Sequence, residues 1–404
     1  MRLSLDHYRK IVGDTIISDI YKQASGFYKR KILHINSTFY GGGVAEILSA
    51  LVPLMNDVGI AADWRMLRGS PDFFNMTKKF HNALQGGPIN LTDMKRRVYI
   101  QTMIDFASYC QIDQDCVIIH DPQPLPLIKF YTKTQPWIWR IHIDLSSPNE
   151  ELWDFLKEFI LKYDNVILSS KEYRRKDLPV EQRIIPPAID PLSVKNKDIN
   201  GKTILKYLKK FNIPTDKPII SQVSRFDKWK DPVGVIETFK MVKEKVDCRL
   251  VLCGSSAIDD PESHQMFTRV KRRINNFIRN NDVILITSDN NILVNVIQRS
   301  SAVIVQKSIR EGFGLSVTEA LWKKKPVVAS DVGGIRLQIK DGESGFLVDP
   351  QDNNKFAERI GAILKDPKLG ESLGERGHDF VKKNFLITRL LLDYLNLLKE
   401  IMRA

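Results

Sequence analysis

The sequence predicts an α/β protein built as two doubly wound parallel-sheet domains, and three observations carry that expectation. Its 404 residues exceed the roughly 100–200 of a usual single domain. Short runs rich in valine and isoleucine recur along the chain with helical periodicities between them, the alternation that puts helices on both faces of a parallel sheet. Glycine-bearing turns follow several of these runs, and in such folds ligands bind at the carboxyl ends of the strands.

In the first half the strand-like runs are 32–36, 116–120, 137–143 and 166–169. The second half repeats the scheme at 218–223, 249–253, 283–286, 302–305, 327–329 and 345–348. Between the halves, 190–216 is polar and lysine-rich, contains Pro191 and Pro214, and is expected to be the hinge. The domains are therefore expected at 1–200 and 201–385, followed by a helix over the apolar-periodic segment 388–402.

Composition narrows the function. Hydrophobic content of 43% is ordinary for a globular chain, no stretch approaches 18 uninterrupted apolar residues, and the segment after Met1 lacks the apolar core of a signal peptide. A cytoplasmic protein without stable membrane insertion is expected. Cys110, Cys116, Cys248 and Cys253 show neither C-x-x-C spacing nor histidines at zinc-ligand intervals, so they read as reduced packing residues. The net charge of +13 gathers in three clusters, Lys206/Lys209/Lys210, Lys271-Arg272-Arg273 and Lys323-Lys324-Lys325. They read as solvated helix faces; no helix-turn-helix, zinc-finger or RNA-binding signature accompanies them, and nucleic acid is not expected as a partner.

The most informative stretch runs from Lys307 to Ala320. A buried strand, a turn carrying Glu311-Gly312-Phe313-Gly314, and a helix starting near Leu315 place free backbone amides above a strand end, where an anion is favoured. Glu311 and Glu319 bracket the turn, and carboxylates accept hydrogen bonds from sugar hydroxyls. Arg225 and Lys230 follow the run 218–223, suited to a phosphate as planar fork and point charge. Gly41-Gly42-Gly43 lies between a strand and a helical pattern, where glycine permits positive φ and close ligand approach. His142 and Asp144 stand at the end of 137–143, with His120 and Asp121 ending the preceding run; a lone histidine in an apolar strand is ordinarily a satisfied core residue. No G-x-x-x-x-G-K-[ST] or G-x-G-x-x-G motif is present.

The E-x7-E turn from Glu311 to Glu319, with the Arg225…Lys230 element, resembles the signature of retaining family-4 glycosyltransferases, which have two Rossmann-like domains facing across a cleft (the GT-B type). The likeness spans roughly residues 31–385, and the phrases His120-Asp121-Pro122-Gln123 and Trp139-Arg140-Ile141-His142-Ile143-Asp144 are most similar to its trehalose-synthesising branch. The resemblance implies a first, acceptor-side domain, a second, nucleotide-sugar domain, and a terminal helix 386–404 that crosses back to the first. It implies a hexosyltransferase making α,α-trehalose from UDP- or ADP-glucose and glucose, reversibly and without a metal or other cofactor. Another family-4 enzyme, such as a sucrose- or glycogen-type synthase, and a noncatalytic nucleotide-sugar or nucleic-acid binder are the alternatives. By the same resemblance Gly42 and Gly43 touch the donor, His142 lies near its 6-hydroxyl, and Asp144 is a weaker candidate for the acceptor. Arg225, Lys230 and the amides of Gly312, Phe313, Gly314 and Leu315 hold the diphosphate, Glu311 the glucose 3- and 4-hydroxyls, and Glu319 the ribose. Where many members have Gly-Gly-x-x-Glu, this chain has Gly333-Gly334-Ile335-Arg336-Leu337. A homodimer is left open.

Overall fold

The computed structural model describes residues 3–38, 42–254, 261–274, 277 and 280–402, with only the backbone of 261–264. Gly41 lies outside the described residues. The chain forms two units, one of residues 1–188 and 386–404, the other of 189–385.

The first unit is a six-stranded sheet of β1 (Lys31–Asn36), β2 (Ala61–Met66), β3 (Cys116–His120), β4 (Trp137–Arg140), β5 (Asn165–Leu168) and β6 (Glu181–Ile184), in the order β2-β1-β3-β4-β5-β6. The second has β7 (Ile219–Val223), β8 (Arg249–Gly254), β9 (Val283–Thr287), β10 (Val303–Gln306), β11 (Val327–Ser330) and β12 (Phe346–Val348), ordered β12-β11-β10-β7-β8-β9. Every pairing in both sheets is parallel. These are two Rossmann-like domains, as the alternating pattern predicts. In each sheet the chain runs from the first strand to one edge and then returns to that strand's other side, so the order reverses between β1 and β3 and between β7 and β10. Such a reversal opens a crevice at the strands' carboxyl ends.

Burial explains which strands the sequence announces. β3 and β8 are buried at every residue and read as apolar runs, as strands covered on both faces must. The sheet edges β2 and β6 do not, because Asp63, Arg65, Glu181 and Arg183 sit within them and each strand is partly exposed. Neither was foreseen. The expected strand 137–143 stops at Arg140, and the His142 amide then donates to the Asp121 carboxylate at 2.8 Å.

Residues 190–216, expected to link the two domains, lie within the second unit. They contain the helix Gly201–Lys210, and Leu208 and Ile213 join the core formed with Val251, Leu293 and Val296. Asn295 Nδ2 donates to the carbonyls of Val194 (3.0 Å) and Lys197 (2.8 Å), and Arg299 pairs with Asp198 at 2.7 Å. These bonds fix 190–200 to the second unit, so the boundary falls after Ala188 rather than at 200. The helix Ile387–Ile401 belongs to the first unit, packing Leu391, Tyr394, Leu395 and Leu398 inward against the helices Asp14–Ala24 and Gly43–Asp57. Arg389 secures its start by donating to the carbonyls of Pro186 (2.8 Å) and Pro187 (2.9 Å).

All four cysteines are free and buried, and burial pushes the Cys248 and Cys253 thiols up to about 11 and about 12, away from reactive thiolate. Lys206, Lys209, Lys210 and the 271–273 cluster are exposed as expected, whereas Lys323 is not. Its ammonium is buried and donates to Asn196 Oδ1 (2.9 Å), Gln298 Oε1 (2.8 Å) and the Glu319 carbonyl (3.2 Å).

Candidate active site

The second unit's candidate residues meet at its order reversal. Arg225 and Lys230 follow β7, and Glu311 follows β10, the strand beside it. The loop after β7 is shaped by Asp227, whose carboxylate accepts from the amides of Trp229 (3.0 Å) and Lys230 (3.2 Å). That turn leads Lys230 back over the strand end, where Gln222 Nε2 donates to its carbonyl at 2.9 Å while Gln222 Oε1 accepts from the Lys307 amide at 2.9 Å. One glutamine thereby ties the two loops together. The Ile309 amide adds a second tie to the Trp229 carbonyl at 2.7 Å. Lys230 Nζ then donates to Glu311 Oε2, which also accepts from Ser308 Oγ at 3.1 Å. Arg225 is more than half exposed, with Asp227 3.5 Å away.

Behind this pair lies a second one. Lys307 is 2% exposed, and its ammonium donates to Asp231 Oδ2 and to the Pro350 carbonyl, both at 2.6 Å. Asp231 has a left-handed backbone (φ 41°) and caps the helix Pro232–Lys243 through the Gly234 amide at 2.9 Å. Lys307 thus anchors the end of the β7 loop to the start of the β10 turn.

In that turn Gly314 has φ 85°, a conformation that favours glycine, and precedes the helix Leu315–Trp322 without a side-chain cap. Gly334 has no room for a Cβ, which would stand 2.4 Å from the Gly312 carbonyl oxygen. The Gly334 amide donates to the Glu311 carbonyl at 3.1 Å, and Gln338 Nε2 donates to the Phe313 carbonyl at 2.5 Å. The Gly333-Gly334 phrase therefore braces the E-x7-E turn from behind. Arg336 turns to Asp331 at 2.6 Å. Phe313 packs its ring against Phe385 and leaves only backbone to offer a ligand. Glu319, 2% exposed, has Lys195 Nζ 3.5 Å from Oε1 and Gln298 Nε2 3.5 Å from Oε2.

The first unit gathers a different chemistry at its reversal. His34 in β1, His120 at the end of β3 and His142 just after β4 form a chain: His34 Nδ1 lies 3.0 Å from His120 Nε2, and His120 Nδ1 lies 3.1 Å from His142 Nε2. His34 and His120 are buried and His142 is half-buried. Burial depresses the proton affinity of all three, holding His34 at about 3; for His120 the other two rings and Arg140 add to it, and for His142 Arg140 does. Arg140 is itself buried, with Ser169 Oγ 3.5 Å away and its Nε and one terminal nitrogen unpartnered among the described residues. Asp121 adopts φ 62° and accepts the His142 amide; burial raises its carboxyl to about 7. Asp144 is buried and accepts from the Ser146 amide at 2.8 Å.

Gly42 is extended (φ 170°) rather than left-handed, correcting the expected use of glycine there, and precedes the helix Gly43–Asp57. A Cβ at Gly42 would meet nothing within 4 Å. Protein packing does not require this glycine.

Sequence reasoning missed His34, Ser308, Lys195, Gln298 and the buried role of Lys323. Only His34 left a signal, a histidine with apolar neighbours on both sides in a buried strand. Among the described residues no group of three or more His, Cys, Asp or Glu is placed to hold a metal ion, and no helix is long and apolar enough to cross a membrane.

Residues 34–175 match the family model of the trehalose synthase N-terminal domain, and 204–380 match that of the group 1 glycosyl transferases. The chain is 47% identical to trehalose synthase of Thermococcus litoralis over 403 residues, covering 98% of this chain and 97% of that protein. It is 28% identical to trehalose phosphorylase of Pleurotus pulmonarius, over 92% of this chain and 57% of the fungal protein. Its fold is also that of an α,α-trehalose-phosphate synthase (UDP-forming) from Burkholderia vietnamiensis, with a TM-score of 0.74 at 15% identity, covering 93% of this chain and 99% of that one. A full-length relative at this identity, on two Rossmann-like domains whose strand-end turns carry the Arg225…Lys230 and Glu311…Glu319 elements, makes the chain a glycosyltransferase of the trehalose synthase family.

Proposed function

We propose that the chain is a retaining glucosyltransferase that joins the glucosyl group of a nucleoside-diphosphate glucose, UDP- or ADP-glucose, to free glucose, giving α,α-trehalose and the diphosphate, reversibly. The observation that carries this reading is the full-length likeness to trehalose synthase together with the cations Arg225 and Lys230 at the β7–β10 reversal. The bond from the anomeric carbon to the diphosphate breaks as the acceptor's 1-hydroxyl oxygen bonds to that carbon from the same face. The hydroxyl proton passes to a departing phosphate oxygen. Positive charge placed beforehand stabilises the diphosphate more as it leaves than while it is bound, so Arg225 and Lys230 act on the transition state.

Glu311 would hold glucose hydroxyls, its carboxylate kept in place by Ser308 and Lys230. Glu319 would take the ribose, and the amides of Gly312, Phe313, Gly314 and Leu315 the phosphates. On the first unit, Gly42 and Gly43 would approach the donor, His142 its 6-hydroxyl, and Asp144 the acceptor. No metal is required in this scheme, and activity is expected to survive EDTA.

Incubation with UDP- or ADP-glucose and glucose, followed by proton NMR, is expected to show a non-reducing α,α-1,1 disaccharide. A reducing or inverted product would reject the reading. The likeness to a fungal trehalose phosphorylase supports one competitor, transfer from glucose 1-phosphate. Trehalose formed from glucose 1-phosphate, with nucleotide-glucoses inert, would establish it instead.

A further inference from the structure

The three-histidine chain has a direction. Each ring, held neutral by burial, carries one proton on one of two nitrogens, and each of the two N···N contacts, at 3.0 and 3.1 Å, accommodates one proton. Only two proton arrangements make both hydrogen bonds. In the inward chain, His142 Nε2–H donates to His120 and His120 Nε2–H to His34, leaving the last proton on His34 Nε2. That atom is buried and has no partner among the described residues. In the outward chain, His34 Nδ1–H donates to His120, His120 Nδ1–H donates to His142 Nε2, and the last proton sits on His142 Nδ1 at the half-exposed end. The outward chain leaves a lone pair at the buried end in place of a bare N–H, and an under-satisfied acceptor is commoner in protein interiors than an orphaned donor.

We propose that His34 and His120 are positioning residues that lock His142 in the Nδ1–H tautomer, so that its ring presents a fixed, neutral hydrogen-bond donor to a ligand hydroxyl. Free histidine favours the other tautomer, so a lock is needed. The anchor is firm: β1, β3 and β4 are adjacent in the sheet, His34 and His120 are buried, and the Tyr394 ring stands edge-on to His34 with centroids 6.0 Å apart. At the other end, the Asp121 carboxylate holds the His142 main chain. Arg140, buried beside the rings, opposes an additional proton on His120 or His142, so the relay sets direction without adding charge. The kinetic consequence rests on the reading of His142 as a sugar ligand; the tautomer does not.

Nitrogen-15 NMR of histidine-labelled protein without substrate tests the tautomer, with resonances assigned through single-histidine variants. The expected result is protonated Nδ1 and bare Nε2 at His34, His120 and His142. In His34→Phe, which keeps an aromatic ring but removes the donor, His142 is expected to show a mixture of both tautomers. With it, kcat/KM for disaccharide formation should fall by about threefold to tenfold, the worth of one net hydrogen bond, while nucleoside-diphosphate affinity stays unchanged. His34→Asn, whose amide nitrogen can replace Nδ1, should restore part of both readouts and serves if the phenylalanine variant fails to fold. A protonated Nε2 on His142 in the wild type would overturn the proposal, as would a single unchanged tautomer in His34→Phe. Absence of any disaccharide from the wild type would instead reject the proposed function and leave the tautomer result standing.

Discussion

The two units build their candidate sites at the same point of the same topology and treat ionisable groups in opposite ways. At the β1–β3 reversal the histidines are stripped of water, burial outweighs the pull of the Asp63 carboxylate on His34, and the rings stay neutral. At the β7–β10 reversal Lys230 faces Glu311 and Lys307 faces Asp231, so partly and fully buried charges are paired. A neutral ring chain directs hydrogen bonds; paired charges wait for a polyanion that can take over one partner.

If the second region is the charged one, removing a cation there should have the largest effect on turnover. Lys230→Ala and Arg225→Ala are each expected to lower kcat/KM by more than tenfold, toward the roughly hundredfold or more typical of losing one donor to a developing oxyanion. Thermal stability should change little for Arg225, which is largely exposed. Steady-state kinetics with varied donor measure this, and near-wild-type values in both variants would dissolve the contrast between the regions.

Lys307 sharpens the comparison from the side of stability. Lys307→Met leaves the Asp231 carboxylate without the cation it faces at 2.6 Å, and breaking a buried pair by deleting one partner typically costs about 3–5 kcal/mol. Asp231 keeps some exposure, so a loss near the lower end is expected in urea titration. Asp231→Asn in the same chain should recover part of it. Full additivity of the two substitutions would mean that the pair does not act as a pair.

The neutral region should reveal itself through pH. An unfolded histidine takes up its proton near pH 6.5, but His34 does so only near 3, so between those values the unfolded chain holds more protons and stability rises with pH. The contribution is present above about 6.5 and is lost as pH falls, by up to about 1.4 kcal/mol per pH unit for each such ring. Asp121 acts in the reverse sense: its carboxyl, raised to about 7, keeps a proton that the unfolded chain has released, so its contribution is lost as pH rises through about 7. Urea midpoints between pH 4.5 and 6.5 should therefore climb, with a shallower slope in His34→Phe and a steeper one in Asp121→Asn. Parallel slopes in all three proteins would show that the histidines are not held neutral.

The same contrast explains what could be read from the sequence. Apolar strands such as β3 and β8 declare themselves because both faces are covered, whereas β2 and β6 carry charges along exposed sheet edges and look like loops. Gly314 and the E-x7-E turn were legible as local backbone chemistry. Pairings across the sheet were not: Lys230 meets Glu311 across 81 residues, and His34 meets His120 across 86. Lys195 and Lys323 looked like linker and solvent-facing residues because their partners Glu319, Gln298 and Asn196 are brought in by packing between separate segments.

The smallest structural effect is expected at Gly42, where the two regions' logic can be separated from glycine's own. Its backbone is extended and an added Cβ meets no protein atom, so Gly42→Ala is free of clash and of backbone strain. What remains is the poorer performance of alanine at the start of a helix, about 1 kcal/mol or less. If the open space beside Gly42 is where a donor approaches, the methyl group should raise the donor KM severalfold while the urea midpoint moves little. A variant with unchanged KM would show that the space is vacant for another reason and would remove Gly42 from the site. A large loss of stability would show that the helix start depends on the glycine itself.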